Sequence, residues 1–357
     1  MFDGHKADKK DLFRLFTVIQ RYEAAGLPII EAIKAFNGNT DKVAVKEITE
    51  DIISQMESGS VADFPAAMEL YPDFFPNYVV HLIRVGQNSG TIGAVLDEIN
   101  IFLKQDIDME RDINSALWVQ KIFIIGICFI LAIAVFFVIP RMGEVLNSAN
   151  LELPLITKIV LGIGDFAASF WWLILGLIAG GYFYLKKMKK TDPVRYEWLK
   201  MRLPIFRDVF YFQLQYRFTK IFGLCLHAGV KSITALEYTS SAVDNAMFEE
   251  IGLEAAKNHE NTGIGIAQAL RQADGWGIID PALYTMLNAG TATTKLDEIM
   301  LSEAEGYNKE LGAVLKVMGD KIGLSVTIPG YVALIILFAA LEWPLLTLMD
   351  SVGKVGT

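Results

Sequence analysis

The chain has 357 residues, enough for two or three domains that each bury a core. Its 53% hydrophobic content is high for a protein wholly in water, and its 20% charged residues are too many for one wholly embedded in lipid. A net charge of −9 with no basic stripe excludes a nucleic-acid binder, and two cysteines, Cys128 and Cys225, exclude a disulfide framework.

Residues 1–121 carry 12 Lys and Arg against 19 Asp and Glu, so the acidity is concentrated in the first third of the chain. The opening residues are charged and lack the apolar core of a signal peptide, which predicts that this region stays in the cytosol. From Leu12 the apolar positions Leu12, Leu15, Phe16 and Ile19 have the spacing of an amphipathic helix, ended by Gly26. Pro28 suits the first turn of a second helix that buries Ile29, Ile30, Ile33 and Phe36. Ile48, Ile52, Ile53 and Met56 mark a third, which stops at Ser58. Asp63 and Pro65 begin a short fourth helix, and an apolar stripe from Tyr78 to Val85 marks a fifth. After Gly90 a sixth helix carries Ile92, Val95, Leu96, Ile99, Phe102 and Leu103, and no Pro or Gly interrupts the chain between Gly93 and Lys121.

That segment is apolar. Residues 122–139 and 166–185 are two uncharged runs, each close to the roughly 20 residues that cross a hydrocarbon core as helix. A third run, 322–341, contains Pro329 and Gly330 and is expected to be kinked or locally unwound there. Small residues at four-residue spacing, Gly176 and Gly180 in the second run and Gly319, Gly323 and Thr327 around the third, would let helices pack closely. Lys186, Lys187, Lys189 and Lys190 directly follow the second run, so the connection between the first two runs is expected to face away from the cytosol.

The region after the first two apolar runs repeats the region before them. Arg14 and the turn at Gly26 correspond to Arg217 and Gly229 at an offset of 203, and Gly86 corresponds to Gly290 at 204. No alternation of period two persists, so a sheet is not expected. The fold predicted is an all-α membrane protein with three transmembrane helices and two homologous cytoplasmic helical-bundle domains. Its boundaries are a first bundle over 1–121, spans over 122–139 and 166–185 joined by a periplasmic connection over 140–165, a second bundle over 186–321, a span over 322–341, and a periplasmic tail over 342–357.

Catalytic patterns are missing. The four histidines, His5, His81, His227 and His259, have no metal-ligand spacing. Gly263 and Gly265 lack the third glycine of a dinucleotide loop, and Ser89 is one place off a nucleophile elbow. Without a Walker A sequence any nucleotide-driven work must come from a partner. No enzyme activity and no cofactor are therefore expected. A subunit of a membrane transporter or channel is the alternative that three spans allow; it would show intramembrane charges or paired broken helices.

The residues Ile139-Pro140-Arg141-Met142 at the end of the first run, and Leu153-Pro154 with Thr157 before the second, resemble the GspF/PilC family. These are the inner-membrane platform proteins of type II secretion and type IV pilus systems. Leu203-Pro204, the stretch from Arg217 to Gly229, and Trp343-Pro344 resemble further family marks, in the same order along nearly the whole chain. Departures are Gln87 where the family commonly has Glu after the glycine, Thr291 and Thr294 at the matching turn of the second copy, and no Glu-Pro pair near Lys321. They point to a divergent pilus branch. The resemblance implies a scaffold that meets a hexameric cytoplasmic secretion ATPase, a pilin or pseudopilin, other inner-membrane assembly proteins and the lipid bilayer, and that forms a homo-oligomer. It assigns Gly86 and Gly90 to a family turn.

Overall fold

A computed structural model describes residues 8–133, 141, 144, 155–203 and 206–355. Among these residues every regular element is an α-helix. The first six are α1 (Lys9–Ala24), α2 (Ile29–Gly38), α3 (Val43–Glu57), α4 (Phe64–Glu69), α5 (Asn77–Ser89) and the long α6 (Ile92–Ile133). Then come α7 (Leu155–Thr191), α8 (Pro193–Arg202), α9 (Arg207–His227), α10 (Ser232–Ala242), α11 (Ala246–Thr262), α12 (Ile266–Ala273), α13 (Pro281–Thr293) and α14 (Leu296–Val355).

Local chemistry sets the helix ends. Asp8 caps α1 by accepting from the Lys10 amide, and Asp63 caps α4 by accepting from Ala66, with Pro65 in the first turn. In the second half Asn245 and Asp280 do the same for α11 and α13. The helices stop where the backbone turns left-handed. Gly26 has φ +72° and Gly229 +82°, Gly59 +71° and Gly263 +70°, and Gly90 +71° where its counterpart Thr294 has +57°. Six helices in one order, closed by turns at matching positions, make α1–α6 and α9–α14 two copies of one motif.

The chain divides into two compact units, Met1–Asp112 with Glu197–Val314, and Ile113–Tyr196 with Leu315–Thr357. Both copies of the motif, up to residues 112 and 314, therefore share the first unit. The core of the first copy joins the stripe Leu12, Leu15, Phe16 and Ile19 to Phe64 and Phe75, all at most 2% exposed. Phe75 meets Phe16 and Phe64 with ring centroids 6.3 Å away in each case. The second copy centres on Phe218, Phe222 and Phe248, with Phe218 and Phe248 4.8 Å apart. Each such side chain contributes about 1.5–3 kcal/mol relative to leaving it in water.

In the second unit α14 stays helical through Pro329 and Gly330, so the local unwinding expected there does not occur. Gly330 is buried, and a Cβ on it would run against Ile127 Cδ1 on α6. Phe123 and Tyr331 pack edge to face beside this contact. Among the described residues no helix is long and apolar enough to cross a membrane. Each predicted span, 122–139, 166–185 and 322–341, includes positions that lie outside the described residues or whose side chains do. Many of the apolar side chains described on them are exposed: Ile125, Phe129, Trp172, Leu177, Ile335 and Phe338 are each 60% exposed or more.

Candidate functional site

The two copies meet along a seam built from α5 and α6 of the first and α9 and α10 of the second. At its centre Arg217, 7% exposed, reaches Asp106, 2% exposed, with Nε donating to Oδ1 at 2.8 Å. The same guanidinium donates to Glu110 Oε1 at 3.2 Å and to the Val243 carbonyl at 3.4 Å. Lys9, at the start of α1, lies 2.5 Å from Asp106 Oδ2 and 2.5 Å from Glu110 Oε1. Burial opposes the charge of the Asp106 carboxyl, but Arg217 and Lys9 outweigh it and hold that group below the ordinary carboxylate range. Burial likewise opposes the Arg217 charge, and Asp106 more than compensates.

Around this pair the Tyr216 hydroxyl donates to Gln105 Oε1 at 2.9 Å, Lys220 stands 3.4 Å from Glu98, and His81 of α5 packs on Tyr238 of α10 at 4.9 Å. A cleft of about 570 Å³ opens beside it, lined by Val85, Ser89, Asp97, Glu98, Leu224 and His227 among others. Of the family-motif residues named from the sequence, Arg217 is the one at the centre of this seam among the described residues. Its counterpart Arg14 is exposed and makes no hydrogen bond or ion pair among the described residues. Asp106 and Glu110 were missed. The signal was present: Asp106 continues the buried register of Ile99 and Phe102 at i+7 and i+4, where an acid needs a partner.

The predicted turn glycines act by two means. Gly26, Gly90 and Gly229 are exposed and hold positive φ, as the turn reading expects. Gly86 and Gly290 have ordinary φ and are buried: a Cβ on Gly86 would lie 3.0 Å from Ile92 Cα, and one on Gly290 2.9 Å from Leu296 Cα. Each lets the following long helix fold back against its predecessor. Gln87 Oε1 is buried with no hydrogen-bond partner among the described residues, and the Thr291 hydroxyl donates to carbonyls of its own helix, Leu287 at 3.0 Å and Asn288 at 2.9 Å.

Pro140, Pro154 and Pro204 lie outside the described residues, while Thr157 lies in α7 and Pro344 in α14. Gly176 and Gly180 are exposed, and a Cβ there would meet no atom within 4 Å; Gly319, Gly323 and Thr327 are half-buried, and Pro329 is exposed. His227 contacts Asp297 at 3.0 Å and His259 the Ile264 carbonyl at 2.7 Å. Among the described residues no cluster of His, Cys, Asp and Glu is arranged to hold a metal.

A tandem six-helix repeat locked by a buried ion pair, with long helices leading from it, defines a helical scaffold. The chain belongs to the type II secretion system protein F family, which it matches over residues 22–140 and 218–343. The resemblance read from the motifs of the sequence is thereby borne out. The type IV pilus assembly protein PilC of Thermus thermophilus is 26% identical to it over 307 residues, 85% of this chain and 73% of that protein. The type II secretion system protein F of Pseudomonas aeruginosa is 22% identical over 348 residues, 95% of this chain and 82% of that protein. The type IV pilus assembly protein TapC of Aeromonas hydrophila is 22% identical over 311 residues, 86% of this chain and 74% of that protein.

Proposed function

We propose that this protein is a non-catalytic platform in a bacterial inner membrane that couples a cytoplasmic hexameric ATPase to the insertion or extraction of pilin or pseudopilin subunits. The observation that carries the reading is the joining, in one chain of this family, of a duplicated six-helix unit to helices that leave many large apolar side chains exposed. Apolar surface of that kind needs lipid or another apolar helix to cover it. In this reading the two bundles are cytosolic and dock the ATPase. Residues 122–139, 166–185 and 322–341 cross the bilayer, where other inner-membrane assembly proteins and the pilin's apolar helix meet them. The connection 140–165 and the tail 342–357 are periplasmic.

The test uses the full-length chain in nanodiscs with its cognate ATPase, measuring binding and hydrolysis rate, beside a gene deletion scored for filament assembly. Binding with altered hydrolysis and loss of filaments are expected. If the ATPase neither binds nor changes rate, and the deletion strain still assembles filaments, the chain is a passive membrane anchor and the coupling reading is wrong.

A further inference from the structure

Along α7 the exposed chemistry changes in one direction. Trp172 and Leu177 are exposed on its apolar part, and Tyr182, Phe183 and Tyr184 follow, each more than 60% exposed. Lys186, Lys187, Lys189 and Lys190 come next, all exposed. Apolar, then aromatic, then basic is the order in which a bilayer passes from hydrocarbon through interface to headgroup. The Lys189 ammonium lies 6.0 Å from the centre of the Tyr196 ring, a cation beside an aromatic face.

The short helix α8 begins two residues after α7 ends. At a rise of 1.5 Å per residue it is about 15 Å long, so all of it stays within about 25 Å of those lysines. Arg195 and Arg202, seven residues apart, fall on one side of α8 and are exposed, while Glu197, its one buried residue, falls on the other. Between the arginines on the exposed side stand Trp198 and Leu199, both half-buried, and the Arg202 guanidinium lies 4.3 Å from the centre of the Trp198 ring. Lys200 is held by Glu197 at 2.6 Å. Neither Arg195 nor Arg202 forms an ion pair among the described residues. Residues 186–207 hold eight Lys and Arg against two acids, Asp192 and Glu197, in a chain whose net charge is −9. Orienting a span takes only a count of nearby positive charges. It does not require two arginines on one face of a separate helix, flanking an indole.

We propose that this face of α8 binds the phosphodiester headgroups of anionic phospholipids. The inference rests on the reading of residues 166–185 as a membrane span and adds to it a selectivity for lipid charge. Arg195 and Arg202 donate to phosphate oxygens, each guanidinium presenting a planar fork of N–H groups. Trp198 and Leu199 occupy the boundary between headgroups and acyl chains. The occupant follows from charge complementarity and from the continuity of α8 with the exposed apolar surface of α7.

The test titrates the full-length chain, in a neutral detergent, with phosphatidylglycerol or phosphatidylcholine and counts bound lipid by native mass spectrometry. Phosphatidylglycerol is expected to bind about tenfold or more tighter, with the advantage shrinking at high salt. Arg195→Gln and Arg202→Gln are each expected to weaken phosphatidylglycerol binding about fivefold, the equivalent of about 1 kcal/mol per basic residue near an anionic surface, and to leave phosphatidylcholine binding unchanged. Arg195→Lys and Arg202→Lys keep the charge and should retain most of the preference. Both positions are exposed, so unchanged thermal unfolding confirms intact folding. Equal affinity for the two lipids, glutamine variants without effect, displacement of phosphatidylglycerol by millimolar inorganic phosphate, or glutamine variants that lose ATPase binding while lipid binding is unchanged would each overturn the proposal. Flotation of the full-length chain with phosphatidylcholine vesicles separates it from the membrane reading. A chain that floats but shows no lipid preference refutes the headgroup site alone, and a chain that does not float refutes both.

Discussion

Replacing Asp106 by Asn keeps the side-chain shape and removes the charge at the centre of the seam. Arg217 then remains 7% exposed with Glu110 at 3.2 Å, itself about half exposed, and with the charge of Asp244 also acting on it. Removing one partner of a buried pair costs about 3–5 kcal/mol, and the surviving Glu110 contact puts this variant near the lower end, about 3 kcal/mol. Arg217→Met is milder. Asp106 keeps Lys9 at 2.5 Å, and an apolar side chain fills the buried space, so the expected cost is about 1–2 kcal/mol. The double variant removes the charges on both sides of the 2.8 Å bond, and its cost should fall well short of the sum, near 2 kcal/mol. Hydrogen exchange of the α9 amides in the full-length chain reads the opening free energy of the seam directly. Arg217→Met costing as much as Asp106→Asn, or additive single effects, would refute the reasoning, because either result means the pair is not coupled as the geometry requires.

The pH dependence has a definite sign. The folded Asp106 carboxyl lies below its ordinary value of 3.8, so its contribution is complete above that value and is lost as pH falls through the lower folded one; exchange protection of α9 should drop as pH is taken from about 4 toward 2. Gly86→Ala and Gly290→Ala drive a Cβ against backbone, at 3.0 Å and 2.9 Å, and should each cost about 1–3 kcal/mol in thermal unfolding, while Gly126→Ala, with open space around it, should be near neutral. Val at Gly26 or Gly229 is expected to lower the yield of folded protein through the positive φ alone; normal stability with lost partner binding would instead mark an interaction surface. Thr294→Gly should raise stability by about 1 kcal/mol, since a β-branched residue holds φ +57° where the first copy has Gly90. For topology, single cysteines at Ser148, Ser58 and Thr262 in intact spheroplasts should label from outside only at Ser148; labelling at Ser58 would end the proposed orientation.

Much of the local architecture was legible in the sequence. The register of Leu12, Leu15, Phe16 and Ile19 located α1, and Pro65 and Gly90 marked a start and a stop, because a few neighbouring residues settle cap chemistry and sign of φ. The duplication was legible for the same reason, since each copy needs its glycines at the same turns. Glycines that serve close packing were found as well, though the cause differed: at Gly86 and Gly290 the requirement is space and not φ.

What only the tertiary structure decided is which faces the copies use on each other. Arg14 and Arg217 occupy one position of one motif, yet the first is exposed and the second is 7% exposed in an ion pair with a residue 111 positions away. No window of consecutive residues contains that distinction. Helix formation answers to neighbours within a turn or two, whereas burial of a charge depends on a partner brought in from far along the chain, and only docking of α9 on α6 supplies one.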